Sequence, residues 1–183
     1  MIALFAIVDT QRGWTRAVIA TAGLILSLFT INQFGDLLFR TLGDFDAPFD
    51  DTMWRREIFL LGGIHLVIAF FAYAGPAVAG GRIGERLRIR DNVQDKFLAL
   101  IVGAVNGYLV VGTLLSLLEQ RLSPEGWVPT FPAPYPFSET ILIRTEQINS
   151  ISQYLPIPLL TSNPFILPVL LVIIFLFVLV VML

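Results

Sequence analysis

FLALIVGAVNGYLVVGTLLSLL, Phe97 to Leu118, contains no charged residue and runs for about six helical turns. That is long enough to cross the roughly 30 Å hydrocarbon core of a bilayer. Three further stretches approach or meet the same length: Ala17–Phe39, Ile58–Gly81 and Phe165–Leu183. The composition points the same way. Of 183 residues 56% are hydrophobic and 14% charged, with mean hydropathy +0.78, whereas soluble domains carry about a quarter charged residues. Backbone groups in lipid must be paired within the segment, which favours helices. The expected fold is therefore all-α: a multi-spanning helical membrane protein with about four transmembrane helices.

Polar residues trim these spans. Asn32, Gln33 and Asp36 fall in the last two turns of Ala17–Phe39, so that end is expected among the headgroups. Gly75 and Pro76 predict a kink or an early end in Ile58–Gly81, tolerable where neighbours satisfy the freed carbonyl. Met1–Val8 would cover only about 12 Å as a helix. It reads either as an interfacial stub or as the tail of a helix whose beginning is missing. MIALFAIVD lacks a basic n-region and a small-residue cleavage site, which argues against a secretory signal peptide.

Orientation follows the Lys and Arg count in short loops. Arg82, Arg86, Arg88, Arg90 and Lys96 form the densest basic cluster, which places the Arg82–Lys96 loop in the cytoplasm. Arg12 and Arg16 fall on the same side, two spans earlier. The loop Arg40–Glu57 then lies outside, with Asp44, Asp46, Asp50, Asp51 and Glu57 against Arg40, Arg55 and Arg56; the last two can snorkel at a helix end. Glu119–Pro164 is also outside, and the last helix returns inward.

That outer segment has two parts. SPEGWVPTFPAPYPF carries five prolines, at 124, 129, 132, 134 and 136, which disfavour helix and sheet and suit an extended track. Trp127, Phe131, Tyr135 and Phe137 suggest that the track follows the membrane interface. In SETILIRTEQINSISQYL, Ile141, Ile148, Ile151 and Leu155 share one narrow arc at 100° per residue. This reads as a short amphipathic helix on the outer surface or packed on the bundle. The chain thus divides into a transmembrane core at 1–120, a Pro-rich outer segment with its amphipathic helix at 121–164, and a C-terminal helix at 165–183.

Few residues could carry chemistry. A net charge of -2 supplies no basic field for nucleic acid. Cysteine is absent, which removes disulfides and thiolate sites. His65 is the single histidine, so neither a His-based metal cluster nor a Ser-His-Asp triad has a second member. In mid-span it is a possible intramembrane polar site, relaying protons or meeting a partner helix, or a hydrogen-bonded packing residue. Asp9 and Asp36 read as interfacial. DFDAPFDD, residues 44 to 51, lacks the glycine turn and terminal glutamate of an EF-hand loop, and a solvated acidic loop is the better reading. No phosphate loop, HExxH or GxSxG motif occurs. No enzyme, cofactor or metal is expected.

Within Phe97–Leu118, Ala99, Gly103 and Gly107 recur every four residues and form one small-residue stripe. Such a stripe lets another backbone approach closely, which drives helix association in lipid. Asn106 lies beside it, placed to hydrogen-bond across the seam. The partner is open: a helix of this chain or of another subunit.

Two stretches resemble the colicin V production (CvpA) family of small bacterial inner-membrane proteins. QRGWTRAV, Gln11–Val18, looks like that family's turn motif, with Arg12 and Gly13 kept, Trp14 as its aromatic and Arg16 retained. DKFLALIVGAVNGYL, Asp95–Leu109, looks like its second motif, with Ala99 in place of a glycine and Asn106 where an arginine is frequent. The resemblance covers about residues 1–120. It implies a complete helix before the turn motif, so that either the start codon is placed too late or half a span has been lost. It also implies a non-enzymatic, multi-pass inner-membrane protein that assists toxin production or export and envelope maintenance through helix contacts. The expected partners are the lipid bilayer and other membrane proteins or further copies of the chain. A small transporter or channel subunit, with a path near His65 and Asn106, is the alternative.

Overall fold

Gly13 is the single residue between the first two helices, α1 (Ile2–Arg12) and α2 (Trp14–Leu42). Its φ of 88° and ψ of 151° lie in a region that essentially only glycine enters. Its N–H donates to the Asp9 carbonyl at 2.9 Å and its carbonyl accepts from the Ala17 N–H at 3.1 Å, so both helix ends are tied to the turn. The computed structural model describes residues 1–42, 51–78, 93–123, 126–129 and 152–182. Beyond α2 these hold α3 (Asp51–Val78), α4 (Val93–Glu119), strands β1 (Gln120–Ser123) and β2 (Gly126–Pro129), α5 (Pro156–Thr161) and α6 (Ile166–Met182).

Among the described residues three helices are long and apolar enough to cross a membrane: Trp14–Leu38, Met53–Gly75 and Val93–Glu119, of 25, 23 and 27 residues, or about 35–40 Å each. The fourth expected span, α6, has 17 residues and no charge, about 26 Å of helix. The bundle closes around Leu24, Leu28 and Ile31 of α2, Leu61 of α3 and Leu109, Val110 and Leu117 of α4, with Ile157 and Leu167 sealing one end. Phe59, Leu66, Val67, Phe70 and Phe71 of α3 stay exposed. They form the apolar outer surface expected of a helix in lipid, where burial between helices gains nothing from the hydrophobic effect.

Several expectations are corrected. The all-α reading misses one element, since β1 pairs antiparallel with β2, Gln120 opposite Pro129 and Leu122 opposite Trp127. Pro129 takes the terminal position of an edge strand, where a missing N–H interrupts the ladder least; the proline track thus opens with a sheet. The outer loop expected up to Glu57 is shorter, because α3 already begins at Asp51. Met53, Trp54 and Glu57 are buried, and this packing holds the extra turns helical. Gly75 and Pro76 lie in the last turn of α3. The Asp44–Asp50 stretch, the basic loop up to residue 92 and the amphipathic segment up to residue 151 lie outside the described residues.

Candidate functional site: a buried polar node

The small-residue stripe of α4 faces α1. A Cβ on Gly103 would stand 2.8 Å from the Ala6 Cα and 2.9 Å from the Phe5 carbonyl oxygen, and one on Gly107 2.9 Å from the Ile2 Cα. Ala99, one turn before, is fully buried. The missing side chains let the α1 backbone lie against α4. That approach brings Asn106, whose side chain is short, within reach of Asp9.

Asp9, in the last turn of α1, is fully buried among the helices, so its charge is met by protein groups. Its Oδ1 accepts from Arg12 Nη1 at 2.9 Å, and its Oδ2 accepts from the Tyr73 hydroxyl at 3.0 Å and from Asn106 Nδ2 at 2.8 Å. Arg12 also donates to the Tyr73 carbonyl at 2.7 Å, and its guanidinium sits 4.4 Å from the centre of the Tyr73 ring. The second Asn106 N–H donates to the Ala17 carbonyl at 3.0 Å, and its Oδ1 accepts from Thr21 at 2.7 Å. Three helices therefore meet at one carboxylate, and α2 joins them through Asn106. Desolvating a carboxylate costs several kcal/mol, about what paired charge and several hydrogen bonds can offset. Both oxygens are engaged, and the three bonds tie α1 to α3 and α4 as a clamp.

The turn motif divides its work. Arg12 serves the node and Gly13 makes the reversal. Trp14 packs on Phe177 of α6, ring centres 6.2 Å apart. Arg16 keeps its Nε buried without a hydrogen-bond partner. Sequence reasoning picks out Arg12, Gly13, Gly103, Gly107 and Asn106, but misses Asp9, Tyr73 and Thr21. The Asp9–Arg12 spacing of three within an apolar start was the available signal, since it puts opposite charges on one helix face.

His65 does not join this node. It is fully buried, with Nδ1 2.8 Å from the Ser27 hydroxyl on α2. Its Nε2 is buried and makes no hydrogen bond of ordinary geometry. A third polar level holds the hairpin: the Leu122 N–H donates to Glu57 at 2.6 Å and Trp127 Nε1 to Asn32 at 2.9 Å. Among the described residues no three His, Asp or Glu side chains converge as a metal site would require. Compared with models of known families, with curated proteins and with solved structures, the chain matches none.

Proposed function

We propose that the chain is a non-enzymatic, multi-pass inner-membrane protein of the colicin V production type, which assists peptide-toxin production or export and envelope maintenance through helix contacts. In this reading α2, α3, α4 and α6 all span, Arg82–Lys96 faces the cytoplasm and the hairpin faces outward. One observation carries it. The two stretches that bear the resemblance, Gln11–Val18 and Asp95–Leu109, lie far apart in the chain and close on each other through Arg12, Asp9 and Asn106, which makes them halves of one device. A complementation assay tests the proposal. Cells lacking the gene are expected to become sensitive to detergents or to lose toxin export, with recovery on restoring the native chain but not one carrying Gly103→Leu and Gly107→Leu. Deletion without either defect would sink it.

The alternative, a transporter or channel subunit, draws on a different observation. Glu57, His65 and Tyr73 recur every eight residues on α3, about 12 Å apart along its axis, and His65 Nε2 is left unsatisfied in the core. Intramembrane polar groups of this kind are costly unless used. Single cysteines at Ser27 and Thr113, in a chain with none of its own, are expected under this reading to react with water-borne thiol reagents. Silence from both sides excludes a water-filled path.

A further inference from the structure

A cavity of about 470 Å³ opens where the hairpin meets α2 and α5, lined by Asn32 of α2, Gln120 and Trp127 of the two strands, and Pro158, Thr161 and Ser162 at the end of α5. Its size falls within the roughly 300–1,000 Å³ of small-molecule sites. None of the described residues that line it carries a charge, so an ion would be desolvated there without a counter-charge. Its hydrogen-bonding groups are neutral instead, and several have their directions set. Trp127 Nε1 can only donate, so its bond to Asn32 Oδ1 at 2.9 Å turns that oxygen to the ring and the Nδ2 protons away from it. Those protons meet no acceptor among the described residues. Thr161 gives its proton to the Ile157 carbonyl at 2.7 Å and Ser162 to the Leu159 carbonyl at 3.1 Å, which leaves both hydroxyl oxygens as acceptors. The Gln120 amide oxygen is buried with no partner. A buried acceptor left in this state is costly, and the terminal torsion of glutamine is soft, so the amide can turn toward a donor in the cavity.

Carbon surface completes the walls, from the Trp127 ring, steadied by Asn32, and from the rings of Pro158 and Pro164. We propose that this cavity binds one uncharged sugar ring. A pyranose carries hydroxyls around its rim, each able to donate and to accept, and C–H groups on its two faces. Its O–H groups donate to Gln120, Thr161 and Ser162, one of its oxygens accepts from Asn32 Nδ2, and its C–H faces lie against the tryptophan and proline rings. An apolar chain in the same place would strand the Gln120 and Asn32 amides. A free sugar and the headgroup of a glycolipid present the same chemistry. The site is independent of any role in toxin export and of how many helices cross the membrane.

Fluorescence of Trp127 reads occupancy. The chain carrying Trp14→Phe and Trp54→Phe is placed in phosphatidylcholine nanodiscs, where both faces are reachable and no glucoside or maltoside detergent offers a sugar of its own. Methyl glucoside, methyl galactoside and N-acetylglucosamine are titrated, and at least one is expected to shift the emission saturably at millimolar concentration. Gln120→Leu and Thr161→Val, which keep the bulk and remove a hydrogen-bonding group, should each weaken that binding about threefold to tenfold. Four results overturn the proposal: no saturable response to any of the three sugars, an equal response to glycerol, which marks a solvent-filled cleft, binding indifferent to both variants, or tighter binding of glucuronate, which marks an anion site. Glucosyl diacylglycerol in the disc separates the two sources. A stronger response than to methyl glucoside at equal sugar assigns the ring to a lipid headgroup, an equal or weaker one to solution, and both uphold the site. If the two tryptophan replacements prevent folding, equilibrium dialysis of the same radiolabelled sugars against the native chain and the Gln120→Leu variant decides the matter by the same ranking.

Discussion

Asp9 concentrates the polar energetics of the bundle in one side chain. Asp9→Ala leaves the Arg12 guanidinium against Tyr73 with no carboxylate, and removing one member of a buried pair costs about 3–5 kcal/mol. A lowered unfolding midpoint in detergent micelles is the expected outcome; an unchanged midpoint would mean that the pair is not formed. Asn106→Ala should cost less, about 1–3 kcal/mol, through the unsatisfied groups left at Asp9 and Thr21. Gly13→Ala places a Cβ in backbone space reserved for glycine, about 1–3 kcal/mol by the same measurement. His65 differs in kind, since Ser27 is its one side-chain hydrogen-bond partner among the described residues. Stability therefore depends on it less than on Asp9.

Among the elements, α1 and α4 form the most informative pair. Gly103 and Gly107 leave no room for a side chain, so Gly103→Leu is expected to drive α1 off α4 and to separate Asp9 from Asn106. Cysteine pairing reads this without ambiguity, because the native chain has no thiol. A Cβ at Gly107 would lie 3.0 Å from that of Phe5, shorter than the roughly 3.5–4.5 Å a disulfide bridges, so an outward shift of α1 by about an ångström, which also relieves the contact with Ile2, admits the bond. The variant with Phe5→Cys and Gly107→Cys should therefore oxidise to one intramolecular bond, visible by mass spectrometry of the digest, and adding Gly103→Leu should abolish it. A bond between two chains instead would move the seam to a subunit interface. The hairpin is held more lightly: Trp127→Phe deletes one hydrogen bond to Asn32, about 1 kcal/mol.

At the scale of the molecule, the number of helices that cross sets the topology. If α6 spans with the others, cysteines replacing Arg88 and Leu183 are labelled from one side of a sealed vesicle and a cysteine replacing Ser138 from the other. Labelling of Arg88→Cys and Leu183→Cys from opposite sides would reduce the count to three. Much of this architecture was legible beforehand, because in lipid a run of apolar residues must be helical and its length sets whether it crosses. Phe97–Leu118 falls within α4, and the spacing of Ala99, Gly103 and Gly107 marked a contact face before its partner was visible. The start of α3 at Asp51 was not legible, since those polar turns are held by tertiary burial of Trp54 and Glu57.

The chain by itself determined its solvent, its principal helices, the glycine reversal at Gly13 and the face that α4 would offer, because each depends on neighbours within a few turns. Only the tertiary structure decided what that face meets and where the charges go. Asp9 finds Tyr73 64 positions away and Asn106 97 positions away, and no local pattern encodes such distances. A carboxylate eight residues into an apolar start looks solvated until the helices that surround it are assembled. Closing a long loop costs entropy that depends only weakly on its length, so the choice among distant partners was left to packing.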